Sequence, residues 1–170
     1  MSTRQQILDH ARSLIQERGY NAVSFRDLSK VVGIKTASIH YHFATKKDLA
    51  CALIEEETQR LEAFLKSINS LDKENVLLKF AELFLSPLQN QKRFCLCGML
   101  STSVIDEEVS QALTAFFLIC LDFLTTCLKD QSEAKVFLSL CEGGMLIARL
   151  QSNPESYFLD LITCYLRHLS

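Results

Sequence analysis

Residues 35–46 hold the densest set of groups suited to gripping a nucleic acid. Lys35, Thr36, Ser38, His40, Tyr41, His42 and Lys46 supply two ammonium groups, two aliphatic hydroxyls, a phenol and two imidazoles in one short stretch. Small hydroxyls at the start of a helix match the donors and acceptors that base edges present in a major groove. Cations and phenols beside them match phosphate oxygens. Thr36 and Ser38 are therefore the candidates for base edges, and Lys35 for base or phosphate. Tyr41, His42 and Lys46 are the candidates for phosphates, Lys46 at a helix N-terminus whose amides also favour anions. His40 can donate to a phosphate, with a pH dependence that an aromatic phenol lacks. His42 either braces a core or touches DNA, and Arg26 and Thr3 are further candidates for the backbone. Ile39, Phe43 and Leu49 belong to the core.

Other chemistries fit poorly. His40 and His42 stand two apart, so on a helix they do not share a face, and no further ligand cluster lies nearby; no metal and no cofactor are expected. No glycine loop is spaced to cradle a phosphate, and no nucleophile–base pair is identifiable from spacing. An enzyme is not expected.

The elements that must position these groups follow from local signals. Ser24 with Asp27 is a capping-box pattern that starts a helix at Phe25, with Leu28, Val31 and Val32 on its apolar face. Gly33 supplies the left-handed turn that ends it. A helix of barely two turns follows, from about Lys35 to Tyr41, with Ile39 inward. Thr45 with Asp48 forms a second capping box, opening a long helix at Lys46. Upstream, residues 3–18 form a helix with Ile7, Leu8, Ala11, Leu14 and Ile15 on one face.

On these residues, positions 4–49 resemble the N-terminal helix-turn-helix of the tetracycline-repressor (TetR) family of bacterial regulators. The matching positions are Gly19-Tyr20 closing the first helix, Ile34 after the turn glycine, and Tyr41, His42, Phe43, Lys46 and Leu49 in the aromatic-and-basic signature. Two positions depart from the pattern. Ala37 replaces the usual small residue, often glycine, early in the recognition helix, and His40 replaces the first member of a Tyr-Tyr pair.

Charge is distributed in keeping with contact at one end. Residues 1–50 hold 8 Lys/Arg and 4 Asp/Glu, and the rest hold 10 and 16, so a basic head precedes an acidic body within a net charge of −2. Seven cysteines without a repeating spacing argue against a disulfide framework. The start, MSTRQQILDHAR, lacks a signal-peptide core. The apolar run Leu113–Leu128, broken by Asp122, Thr125 and Thr126, is short for a membrane span. A cytoplasmic protein with free thiols and no membrane partner is expected.

Nothing alternates with period two, so the chain reads as all-α: residues 1–50 a helix-turn-helix DNA-binding domain, and residues 51–170 an effector-binding and dimerisation domain. The helix from Lys46 to about Ser67 connects them over roughly 33 Å, with the polar run 55–60 expected to be solvated. A helix from about Glu74 to Leu85 is expected to break near Pro87, and a helical segment to span about Phe94 to Ile105. The helix from Glu107 to Lys129 is apolar nearly all round and is expected to be central and buried. Two final helices, about Ser132 to Gln151 and Glu155 to Leu169, meet at the Asn153-Pro154 turn.

The penultimate helix contains Gly143 and Gly144, each costing about 1 kcal/mol relative to Ala, which a close helix approach would offset. The resemblance implies that the last two helices pair with those of a second subunit. The expected homodimer interface is Phe137, Leu140, Gly144, Ala148, Phe158, Leu161 and Tyr165, and the expected partners are double-stranded operator DNA, a second copy and a small-molecule effector. Phe64, Phe84, Cys97, Met99, Phe116, Phe117 and Cys120 are the candidates for the effector pocket, although Phe and Met at helical spacing also serve as plain core. The function implied is a ligand-responsive transcriptional repressor. The stretch RFCLCGML (93–100) resembles a Cys-Leu-x-Gly sequence of some TetR-like regulators that respond to electrophiles or oxidants. The alternative is thus the same scaffold switched at Cys97 or Cys95, primed by Lys92, Arg93 or a helix N-terminus. A second alternative is a helical binding protein that has lost DNA recognition.

Overall fold

The computed structural model of the chain describes residues 2–69, 71–89, 93–103 and 106–169; Lys92 and Ile105 lie outside them. Among the described residues every regular element is a helix, in two compact units. The first is formed by residues 1–60 and 96–116, the second by 61–95 and 117–170.

In the first unit, α1 (Thr3–Arg18) starts at Ser2, whose side chain accepts a hydrogen bond from the Gln5 amide. Its apolar stripe, Ile7, Leu8, Ala11, Leu14 and Ile15, is buried. α2 (Phe25–Val32) carries both halves of its capping box. The Asp27 carboxyl is held below its ordinary pKa by the Ser24 hydroxyl and then by the Ser24 amide. Gly33 sits at φ +77°, and the Gly33 and Ile34 amides both donate to the Ser29 carbonyl at 3.0 Å. α3 (Thr36–His42) follows directly. α4 (Lys46–Ile68) opens on the second box: Thr45 N donates to Asp48 at 2.8 Å, and Asp48 N to the Thr45 hydroxyl at 3.1 Å. The short α6 (Leu96–Ser101) packs on α1, with Met99 beside Gly19.

The polar run 55–60 is not simply solvated. Arg12 of α1, with 14% of its side chain exposed, reaches Glu57 through Nε at 2.7 Å and Glu56 through a terminal nitrogen at 2.8 Å. Arg60 closes onto the same two carboxylates at 2.9 and 3.3 Å. Burial pushes the Glu56 carboxyl up, but hydrogen bonds from Arg12 and Gln5 and the charges of Arg12 and Arg60 outweigh it, leaving its pKa lowered.

In the second unit, α5 (Lys73–Gln89) runs through Pro87 instead of breaking there. The proline sits in the last turn, where one lost N–H costs little, and its carbonyl accepts from the Arg93 amide at 2.9 Å. The α7 helix (Glu107–Leu128) contributes its later residues here. It is not a central, fully buried helix: Leu113, Phe116, Cys120 and Leu124 are buried, but Leu118 is 51% exposed. α8 (Gln131–Ala148) and α9 (Pro154–Leu169) pack on each other and on α5. Phe80, Phe84, Phe123, Phe137 and Tyr165 join in a chain of ring contacts at 5.2–6.3 Å between centroids.

Four residues expected between two subunits lie inside the protomer. Phe137, Phe158 and Ala148 are fully buried and Gly144 is buried. The reason is at Gly144 itself, where an added Cβ would stand 2.6 Å from Leu161 Cδ2 and 3.5 Å from the Phe158 ring. This glycine lets α9 of the same chain approach α8. Leu140, Leu161 and Tyr165 are half-buried, and the Tyr165 hydroxyl donates to the Glu133 carboxylate at 2.7 Å. The apolar groups left in water on α8 are Val136, Leu146 and Ile147, with Leu150 beyond its end at 82% exposure. An added Cβ at Gly143 would meet nothing within 4 Å.

Candidate nucleic-acid interface

α3 is too short to persist alone, because helix nucleation is costly, and so depends on what it is bolted to. Ile39 is completely buried and Phe43 nearly so. The Phe43 amide donates to the Ile39 carbonyl at 2.9 Å, closing the last turn. The Gly33 turn sets α3 against α2, and the Thr45–Asp48 box begins α4 at Lys46, three residues after Phe43. The recognition segment is thereby clamped at both ends by local hydrogen bonds.

The seven expected contact residues separate into those facing water and those engaged by the fold. Lys35, the N-cap residue of α3, is exposed and makes no side-chain cap bond. Tyr41 is 86% exposed, its ring edge-on to His42 at 5.2 Å. His40 is exposed, but its ring lies against Phe25 at 4.9 Å, and Nδ1 stands 3.3 Å from the Ala44 carbonyl, to which it donates when protonated there. Ser38 and His42 are half-buried.

Thr36 and Lys46 both make contacts within the fold. The Thr36 hydroxyl donates to Ser29 Oγ at 3.0 Å, and Ser29 donates to the Arg26 carbonyl at 2.9 Å. Thr36 thus ties α3 to α2 through its hydroxyl proton, and its oxygen can still accept. Lys46 Nζ lies 4.2 Å from the centroid of the Tyr20 ring, and burial lowers its pKa from the ordinary lysine value. The ammonium thus faces an aromatic ring of the same unit. The next residue, Lys47, was not singled out by sequence. It pairs with Glu108 at 2.8 Å, which raises its pKa through that hydrogen bond and then through the charge. No local signal marks the contact, because its partner is distant in the chain. Arg4 stands over Phe43 at 5.2 Å, fastening the start of α1 to the end of α3. Exposed Ala37 leaves room for a close approach beside Lys35 and Tyr41.

The expected pocket residues are divided. Cys97, Met99 and Phe116 belong to the first unit, and Phe64, Phe84, Phe117 and Cys120 to the second. Cys97, Phe84, Phe116 and Cys120 are buried, and Phe64, Met99 and Phe117 half-buried. Phe84 packs in the aromatic chain described above. Two surface recesses in the second unit are lined by other residues. One of about 370 Å³ is bounded by Glu62, Leu65, Lys66, Asn69 and Phe123, and one of about 120 Å³ by Lys73, Glu74, Leu77, Leu166 and Leu169. The cysteines are free thiols.

Comparison with known proteins bears on both ends of the chain. Residues 7–53 match the sequence model of the bacterial regulatory proteins of the tetR family. The crystal structure of a TetR transcriptional regulator from Legionella pneumophila superposes with a TM-score of 0.93 at 32% identity, covering 100% of this chain and 98% of that one. A TetR-family regulator from Agrobacterium tumefaciens gives 0.90 at 29% identity, covering 98% and 96%. Among curated proteins, an HTH-type transcriptional repressor of Mycobacterium tuberculosis is 40% identical over 60 residues, 35% of this chain and 32% of that protein. The negative regulator IcaR of the Staphylococcus aureus biofilm operon is 41% identical over 46 residues, 27% and 25% of the two chains. The matches to these curated relatives span a third or less of their length.

Proposed function

The chain belongs to the TetR family of bacterial regulatory proteins, and we propose that it is a homodimeric repressor. It grips operator DNA through α3 and releases it when a small-molecule effector occupies its helical body. The observation that carries this reading is the outward face of α3. Tyr41 stands 86% exposed beside exposed Lys35, His40 and Ala37, on a helix whose inward residue Ile39 is fully buried. A large aromatic held in water by a rigid mount does nothing for the protomer's stability and is well placed for a phosphate. Repression is supported by the names of the curated relatives, a repressor and a negative regulator.

One helix of seven residues reads only a few base pairs, so a second copy is required for selectivity. The exposed apolar face of α8 supports the same conclusion: Val136 and Ile147 flank half-buried Gly143 at helical spacing, and exposed Leu150 follows just past the helix end. Gly143 is the point at which a partner helix crosses closely. The effector acts by binding the released arrangement more tightly than the DNA-bound one, since equal affinity would shift nothing. Cytoplasmic residence follows from the partner, and no catalytic role is proposed.

Selection of duplexes from a random pool by the purified protein tests the reading. We expect an inverted repeat with half-site centres about 34–36 Å apart or a multiple of that. Absence of any enriched motif, from protein shown to be folded and dimeric, would reject it. An effector is then a compound that weakens binding to the selected repeat while raising the thermal midpoint.

A further inference from the structure

The way α3 is mounted decides which of its groups a duplex meets first. Successive helical residues stand about 100° apart, so Ile39 lies about 200° round the axis from both Ala37 and Tyr41. Ile39 is completely buried. Ala37 and Tyr41, four residues apart and therefore on one face, are both exposed. His40, about 60° to one side of Ala37, rests its ring on Phe25 at 4.9 Å and stands 3.3 Å from the Ala44 carbonyl through Nδ1. Ser38, about 100° to the other side, is half-buried. Thr36 gives its hydroxyl proton to Ser29 on α2. The first outward group of the helix is thus the Ala37 methyl, which has neither donor nor acceptor.

A helix-turn-helix contacts base edges with the N-terminal residues of its second helix, and Ala37 is the second residue of α3. A helix about 10–12 Å across its side chains nearly fills a major groove about 12 Å wide, so it seats deepest where its outward side chain is shortest. From Ala37 to Tyr41 the axis rises about 6 Å, or half the groove's width. With Ala37 over the groove floor, the phenol therefore reaches towards the phosphate wall. A base donor or acceptor pressed against a methyl group would lose its water without replacement, which is costly. Among the groups that identify a base pair in that groove, only the thymine 5-methyl is apolar, and its burial is favourable. We propose that Ala37 is a base-reading residue, its methyl packing on the 5-methyl of one thymine in each half-site. The proposal rests on the reading of the chain as an operator-binding regulator, and names what its reading helix recognises. Residue type alone favours the hydroxyls of Thr36 and Ser38 for this role; the relative exposure of the three side chains favours Ala37.

The test uses the full chain and the inverted repeat it selects from a random pool. Each half-site thymine is replaced in turn, in both halves together, by deoxyuridine, which keeps the base pair and removes only the 5-methyl. We expect one position at which replacement weakens binding about fifteenfold, or about fourfold for one buried methyl in each half-site. Ala37→Gly should bind the thymine and deoxyuridine repeats within about twofold of each other. That ratio is taken within one protein, so the helix-propensity cost of the glycine cancels, and low salt keeps the variant on DNA through its phosphate contacts. A selected half-site without thymine would overturn the proposal and leave the regulator reading intact. So would a wild-type scan, which needs no variant, in which no replacement weakens binding by more than about twofold. An Ala37→Gly protein that keeps the wild-type ratio would also overturn it, because another side chain would then be reading the methyl. Absence of any enriched motif, from folded and dimeric protein, would instead refute the regulator reading, and this assignment would fall with it.

Discussion

Two adjacent glycines on α8 should respond in opposite ways to the same substitution. At Gly143 an added Cβ meets nothing within 4 Å, so Gly143→Ala should stabilise the protomer by roughly 0.8–1 kcal/mol, the helix-propensity difference. At Gly144 the same Cβ stands 2.6 Å from Leu161 Cδ2, although the Phe158 ring atoms at 3.5 and 3.6 Å are in ordinary contact. Only the end of a half-buried leucine must move, which places the overpacking cost near the low end of the usual range, about 1–2 kcal/mol. Set against the propensity gain, Gly144→Ala should be neutral to about 1 kcal/mol destabilised. The two alanine variants should then differ by about 1–2 kcal/mol, or roughly 3–6 °C in the thermal midpoint of a chain this size. Thermal unfolding at several matched protomer concentrations is the assay, because self-association makes the midpoint concentration-dependent. Gly143→Leu completes the set: the protomer should fold, while light scattering shows weakened self-association. The reasoning is refuted if Gly144→Ala stabilises as much as Gly143→Ala, or if Gly143→Leu unfolds the dilute protomer.

Three further outcomes are expected. Arg12→Gln should cost about 2 kcal/mol, because Glu56 and Glu57 lose the more buried of their two charged donors and keep only Arg60, and urea unfolding measures it. The pH dependence has a definite sign: the Glu56 pKa is lower folded than unfolded, so its contribution is present above the unfolded value and lost as pH falls through the folded one. The acid limb of the stability curve should therefore be shallower in Arg12→Gln, and an unchanged limb would contradict the clamp. Ser24→Ala should cost about 1 kcal/mol through loss of the α2 cap, read from the same denaturation curves. Thr36→Val should lower stability by about 1 kcal/mol yet leave the selected DNA motif unaltered; a changed motif would return Thr36 to the bases.

What was legible in the sequence was local. The helices that begin at Phe25 and Lys46 were readable because Ser24 with Asp27, and Thr45 with Asp48, carry both cap donors and acceptors within four residues. Ile39 inward and Tyr41 outward follow from a helix two turns long. What failed was set by distant partners. Glu56 and Glu57 looked solvated because Arg12 is more than forty residues away, and the contact of Lys46 with Tyr20 went unread because Tyr20 lies across a turn and two helices. Gly143 and Gly144 differ by one helical step of about 100°; which of them meets α9 depends on where α9 packs, and no pattern within α8 states that. The same gap made α7 seem central. Continuous apolarity says that a helix wants cover, not which surface provides it, and Leu118 remains half in water.

The most direct measurement is the affinity of the purified protein for DNA upstream of its own gene, by fluorescence anisotropy over a salt series, with Lys35→Ala/Tyr41→Ala as comparison. We expect selective binding over scrambled duplex, weakening steeply with salt as phosphate counterions are released, and loss of that selectivity in the double variant. The variant should unfold at the wild-type midpoint, since both side chains stand in water. Equal affinity for the two duplexes at every salt concentration, or a double variant that binds as the wild type does, would contradict the assignment of α3 as the reading helix.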